Sequence, residues 1–189
     1  MLKGKNMYIE NNITRFLDEL LKASENKHND YHIWDRILML PGFGVTSSIK
    51  GWLEHNNLKH FYISAASRSV AKLKVECFPP LSLNSVSVVN SEELERVFTP
   101  VEKEVNVIFT TEEIDYIDEN TIIIIDDYAR ACEETRKELF NLIAYGHVID
   151  IRYNESECKR QIKPKFIVVV LDEILADKLS AKEKKLFDI

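Results

Sequence analysis

No apolar run in the 189 residues approaches the roughly 20 that a membrane-spanning helix needs, so no transmembrane segment is expected. Cysteine is scarce. Cys77, Cys132 and Cys158 are odd in number and far apart, which excludes a paired disulfide framework and any CxxC metal knuckle and suits a reducing cytoplasm. Basic residues are outnumbered, 25 to 31, and the net charge of −6 argues against a general electrostatic grip on nucleic acid or anionic lipid, leaving only a local basic patch as a route to either. The five histidines, His28, His32, His55, His60 and His147, show no HExxH or paired ligand spacing and read as polar surface or cap positions. The start, Met1 to Asn6, is basic with no apolar core behind it, so no secretion signal is expected. Internal repeats and low-complexity linkers are also missing.

What remains is an ordinary globular balance, 45% hydrophobic and 30% charged, in a chain long enough to bury about 70% of its unfolded surface without a metal or disulfide staple. One domain with a short appendage is expected: residues 1–30 as an N-terminal helix and linker, and 31–189 as the core. Ile13, Phe16, Leu17, Leu20 and Leu21 follow the i, i+3, i+4 rhythm of an amphipathic helix. A strand at Ile37–Leu40 runs through Pro41-Gly42-Phe43-Gly44 into a helix from Thr46 to about Asn56. His60–Ser64 reads as a further strand. From Lys72 to Asn90 the pattern suggests loop and short extended pieces, with a helix start at Ser91–Phe98 and a strand at Val105–Phe109. The four successive isoleucines Ile122 to Ile125, followed by Asp126-Asp127, suit a strand buried on both faces of a parallel sheet. A helix at Glu133–Ala144, a strand at Val148–Arg152, a polar hairpin tip and a strand at Lys165–Leu171 complete the pattern. Alternating strands and helices predict a three-layer α/β domain with a parallel sheet.

Ligands of such sheets bind at the carboxyl ends of the strands, and three of these ends carry candidate chemistry. Pro41-Gly42-Phe43-Gly44-Val45-Thr46-Ser47 is a strand, a glycine turn and a helix that starts in hydroxyls, the context in which backbone N–H groups and the helix dipole hold a phosphate. Laid over Met39 to Thr46, the pattern GxxxxGK[ST] keeps Gly44 and Thr46, but Met39 stands at the first glycine and Val45 at the lysine. Read alone, the segment is equally a tight strand-to-helix turn. Asp126-Asp127 closes an apolar strand, as acids that orient magnesium and polarise water do; alone, such a pair also serves as solvated acids or helix caps. A phospho-acceptor pocket is the weaker reading, because there the pair would follow the first strand. Asp172-Glu173 is the third such end.

Together, the glycine turn and the line Ile122-Ile123-Ile124-Ile125-Asp126-Asp127-Tyr128-Ala129-Arg130-Ala131 resemble the AAA+ ATPase core, particularly its MoxR-like branch in bacteria and their phages. The resemblance covers about residues 33 to 189. It implies a P-loop NTPase-like core that takes ATP and magnesium. Pro41 to Ser47 would form the phosphate loop, Thr46 and Asp126 the magnesium ligands, Asp127 the water-polarising acid and Asp172 the first-sensor position. It equally implies damage. The lysine is Val45, Asp127 stands for a longer Glu, Asp172 for an Asn, and Leu186 occupies the arginine-finger position, while Arg130 is retained. Lys50, one turn beyond Thr46, points along the helix and poorly replaces the lysine. The family's helical lid has no room in this sequence. The expectation is a degenerate, non-hydrolysing scaffold or ring subunit working through protein contacts in the cytoplasm, a host's if phage-encoded; the alternative is an active ATPase completed by a partner subunit. Cys132 reads as a small packed side chain, Trp34 and Trp52 as core or rim anchors, and the lysine-rich tail from Lys178 to Lys185 as a solvated helix face.

Overall fold

Two neighbouring strands, β5 (Ile122–Asp126) and β8 (Phe166–Asp172), are buried along their whole length and pair in parallel, Ile122 opposite Phe166 and Ile125 opposite Val169. A strand with apolar side chains on both faces needs cover on both, and the remaining elements supply it. The computed structural model describes residues 3–26, 33–39, 44–77, 99–153 and 158–189. In it β1 (Trp34–Met39) pairs in parallel with the outer side of β8, and β2 (His60–Ser64) with the outer side of β5, giving a four-stranded parallel sheet in the order β1-β8-β5-β2.

The pleat divides the core in two. Ile122, Ile124, Phe166, Val168 and Val170 face a layer made by α1 (Lys3–Glu25) and α2 (Val45–His55), where Leu17, Leu20, Ile49, Trp52 and Leu53 meet them. Ile123, Ile125, Ile167, Val169 and Leu171 face the opposite layer, with α3 (Thr111–Tyr116), α4 (Glu133–Tyr145) and α5 (Ala181–Phe187) contributing Ile114, Leu139, Leu142, Ile143 and Phe187. The crossover from β1 to β2 runs through α2 on one face, and the return through α3 and α4 runs on the other, so the chain is a three-layer α/β domain as expected. Among the described residues no helix is long and apolar enough to cross a membrane.

Sequence signals explain most boundaries. α3 starts at a capping box, with the Thr110 hydroxyl accepting from the Glu113 N–H and the Glu113 carboxylate accepting from the Thr110 N–H. Ser180 and Glu183 do the same for α5. α4 ends at Gly146, whose φ of 67° is the left-handed geometry that closes a helix with little strain only for glycine.

The structure departs from the sequence reading in three places. Of the stretch expected as loop and short extended pieces, residues 72–77 are regular strand and 78–90 lie outside the described residues: β3 (Ala71–Cys77) and β4 (Val101–Val107) form an antiparallel ribbon outside the main sheet, so the strand expected at Val105–Phe109 joins this ribbon instead. The strand at Val148–Arg152 is shorter, β6 (His147–Ile149), paired antiparallel with β7 (Lys159–Gln161). Cys132 is exposed rather than packed, at the N-cap of α4. The helix expected at Ser91–Phe98 lies outside the described residues.

The N-terminal helix is part of a core layer. Leu17 is fully buried, and the Trp52 indole donates to the Asp18 carboxylate at 2.8 Å. Removing the Leu17 side chain should therefore act as a core truncation: Leu17→Ala is expected to lower stability by about 2–5 kcal/mol in urea unfolding. A loss under about 0.5 kcal/mol would identify α1 as a dispensable appendage.

Candidate functional site

Parallel strands bring their carboxyl ends to one edge of the sheet, and the register aligns them there: Met39 opposite Asp172, and Ser64 opposite Asp126. Asp126 continues the alternation of Ile122 and Ile124, so its side chain emerges on the α2 side. There the Thr46 hydroxyl donates to Asp126 Oδ2 at 2.6 Å across 80 residues of sequence. The structure thus joins the first turn of α2 to the first acid of the pair.

Of the residues assigned to a phosphate loop, Pro41, Gly42 and Phe43 lie outside the described residues. Gly44 is the N-cap of α2 at φ 70°, a conformation that strains any side chain. Among the described residues no side chain caps the N-terminus of this helix. Its first-turn N–H groups have no intrahelical acceptor, so they and the positive end of the dipole lie beside Thr46. Ser47 is exposed on the first turn. Val45 points the other way, 3% exposed in the core under α2 with Ile49 and Leu53. The lysine position is therefore filled by a packing residue.

The acids differ in their partners. Asp126 is 6% exposed; its Oδ1 accepts from the Asp127 N–H at 2.9 Å, and its Oδ2 accepts from Thr46 and, at 2.5 Å, from the Tyr62 hydroxyl. Burial and then the hydrogen bond to Asp126 push the Tyr62 phenol well above its ordinary pKa, so it remains a donor at neutral pH. The Lys50 ammonium sits 4.2 Å from the centre of the Tyr62 ring, a cation–π contact that commits it there. Asp127 turns into the left-handed region at φ 55° and opens the short turn Tyr128–Arg130, its half-exposed carboxylate 3.4 Å from Arg130. Asp172 is buried at the end of β8, where it caps the turn Glu173–Lys178 through the Ile174 N–H and takes the Arg130 guanidinium at 2.9 Å. These contacts hold the Arg130 pKa above its usual value, with the Asp172 hydrogen bond first and the Asp127 charge second. Leu186 is half-buried against the second core layer.

Three carboxylates thus meet at the strand ends with two cations, both already engaged. Among the described residues no cluster of three or more His, Cys, Asp or Glu could cage a metal. One carboxylate and one hydroxyl do fit a hard cation such as magnesium, which keeps waters and takes phosphate oxygens as its other ligands.

Comparison with protein-family models and with curated proteins finds no match. Among solved structures, the chain is similar to a lysine-to-arginine mutant of RuvB from Thermotoga maritima, with 14% identity and a TM-score of 0.48. The match covers 95% of this chain but 43% of that one, so the chain spans less than half the length of that protein.

Tyr62 escaped the sequence reading, which took His60–Ser64 simply as a strand. The available signal was its parity: in a strand parallel to β5, Tyr62 lies on the same face as Ile124 and Asp126. The Arg130–Asp172 pair was equally hidden, because 42 residues separate its members. Because the Tyr62 hydroxyl occupies an oxygen that a cation would use, Tyr62→Phe should raise Mn2+ affinity about threefold to tenfold in an electron-paramagnetic-resonance titration of free Mn2+, and Asp126→Asn should abolish binding. Unchanged affinity in Tyr62→Phe would detach Asp126 from any cation site.

Proposed function

We propose that this chain is a degenerate AAA+ ATPase core of the MoxR-like type: a non-hydrolysing nucleotide-fold scaffold or subunit that works through contacts with other proteins. The observation that carries this reading is the 2.6 Å contact between Thr46, in the first turn of a helix entered through a glycine, and Asp126, at the end of a buried parallel strand. A hydroxyl and a strand-end aspartate in that relation are the magnesium-holding pair of P-loop nucleotide hydrolases.

Thr46 and Asp126 would hold a magnesium ion, which would supply positive charge to the phosphates. The chain's own groups would do the rest. The first-turn N–H groups of α2 accept an anion at the dipole's positive end, and Gly44 lets backbone approach it without a Cβ. Thr46 and Asp126 would hold the ion, in competition with the Tyr62 hydroxyl for Asp126 Oδ2.

Catalysis lacks its cations. Val45 is turned into the core, Leu186 carries no charge, and Arg130 is fastened between Asp127 and Asp172. Losing one charge-assisted hydrogen bond to phosphate forfeits about 1.5–3 kcal/mol, and transition-state charge goes unanswered as well. Asp127, tethered to Arg130, is poorly placed to polarise a water. The Asp126 carboxylate, whose partners are two hydroxyls and an N–H rather than a cation, would also repel a polyphosphate that arrives without a divalent ion. The same reading places the protein in the cytoplasm of a bacterium or of a phage-infected cell. The retained Gly44, Thr46 and Asp126 favour one rival, an ATPase whose missing cations come from a neighbouring subunit.

Calorimetric titration separates these outcomes. Mg-ATP is expected to bind weakly, at about millimolar Kd, with binding lost in EDTA and in Asp126→Asn, and with no phosphate release above background. Hydrolysis by the isolated chain that vanishes in Asp126→Ala would overturn the non-hydrolysing reading. Silence with Mg-ATP, alone and with any co-purifying partner, would overturn nucleotide binding altogether. Val45→Lys should not simply restore the loop: a charged terminus would begin in the core, and a stability loss of about 1–3 kcal/mol is expected in thermal or urea unfolding.

A further inference from the structure

Away from the strand ends, α4 and α5 with the turn before it enclose an open groove of about 1030 Å3. Its charge runs against that of the chain. Lys137 on α4 forms one wall, and Lys178, Lys182 and Lys185 form the other. All four are exposed, and none makes an ion pair with a described residue. Of the acids at the groove, Glu183 is spent: its carboxylate accepts from Tyr128 at 3.0 Å, from Arg136 at 3.1 Å and from the Ser180 N–H at 2.7 Å. Burial opposes its charge, but these bonds prevail and keep its pKa below the ordinary glutamate value. Glu133 is the other acid at the rim. On a molecule of net charge −6, four uncommitted lysines around one groove form a local reversal of sign.

The groove is also apolar. Phe140 and Tyr145 meet edge to face with centroids 6.2 Å apart, Tyr145 is 57% exposed, and Leu186 is half-buried opposite. A partner held by charge alone would need no such floor. Lys182 and Lys185 lie three residues apart on one helix face and Lys178 ends the separate turn Glu173–Lys178 before it, while Lys137 and Phe140 repeat the three-residue spacing on α4. Cations along both rims over an aromatic and aliphatic floor complement a helix with acidic flanks and apolar anchors at i, i+3 or i+4, and i+7.

We propose that this groove docks an acidic amphipathic helix of a partner protein. The assignment is independent of the nucleotide reading and does not use the strand-end site.

The probe is a fluorescein-labelled helical peptide of about 14 residues, near the length of α4, with leucines at i, i+4 and i+7 and glutamates on its flanks. Fluorescence anisotropy against the full chain should show saturable binding. The double variant Lys182→Glu, Lys185→Glu, checked for native circular dichroism, should weaken it about tenfold, and a peptide with its leucines changed to glutamine should lose it. Chemical-shift changes should cluster at Phe140, Tyr145 and Leu186. Equal affinity for the variant, no binding at all, or equally tight lysine-dependent binding of the glutamine peptide, a single-stranded oligonucleotide or anionic vesicles would each overturn the proposal.

Discussion

The parallel pairing of β5 with β8 governs this molecule. Both strands are buried on two faces, and each large aliphatic side chain they withdraw from water contributes about 1.5–3 kcal/mol relative to exposure. That burial requires a helical layer on each side, and it fixes the parity of every residue along the strands. Asp126 belongs to the face of Ile122 and Ile124, and therefore to the side on which α2 lies. A slip of one residue would move its carboxylate to the opposite layer and leave Thr46 without a partner.

Charge at the strand ends follows from the same frame. Asp126 is buried where water cannot solvate it freely, and three donors replace that water: two hydroxyls and a backbone N–H. Asp172 is buried too, and its compensation is the Arg130 guanidinium with the Ile174 N–H. An arginine so used holds the turn after β5 to the turn after β8, which gives Arg130 a structural reason to be there. Asp172 is thus largely spoken for by a cation of its own chain.

Much of the architecture was legible in advance, for physical reasons. Four isoleucines before two acids admit few environments, and the i, i+3, i+4 pattern at Ile13 to Leu21 marked a helix whose apolar stripe is indeed buried at Ile13, Leu17 and Leu20. The glycine turn and the acid pair could each be read locally, but their meeting could not, since only strand order brings Thr46 to Asp126. The β3–β4 ribbon was legible only in part, as short extended pieces from Lys72 and a strand near Val105: Ala-Lys-Leu-Lys-Val-Glu-Cys alternates as a strand does, but most of it is exposed, so nothing in it says which strands it joins. Val45 shows a further limit of motif reading. The pattern compares Val45 with a lysine, whereas the packing shows it to be a core residue under α2.

Tyr128, the residue immediately after the acid pair, is completely buried; its hydroxyl donates to Glu183 and also lies 3.2 Å from the Arg136 carbonyl, while its ring meets Phe187 edge to face at 5.2 Å. The backbone that carries Asp127 is thereby bolted to both α4 and α5. The three segments form a mechanical linkage: α5 cannot roll or lift without either breaking a buried hydrogen bond or dragging the peptide beside Asp127 with it. A load applied to the outer face of the second helical layer would be felt at the strand ends.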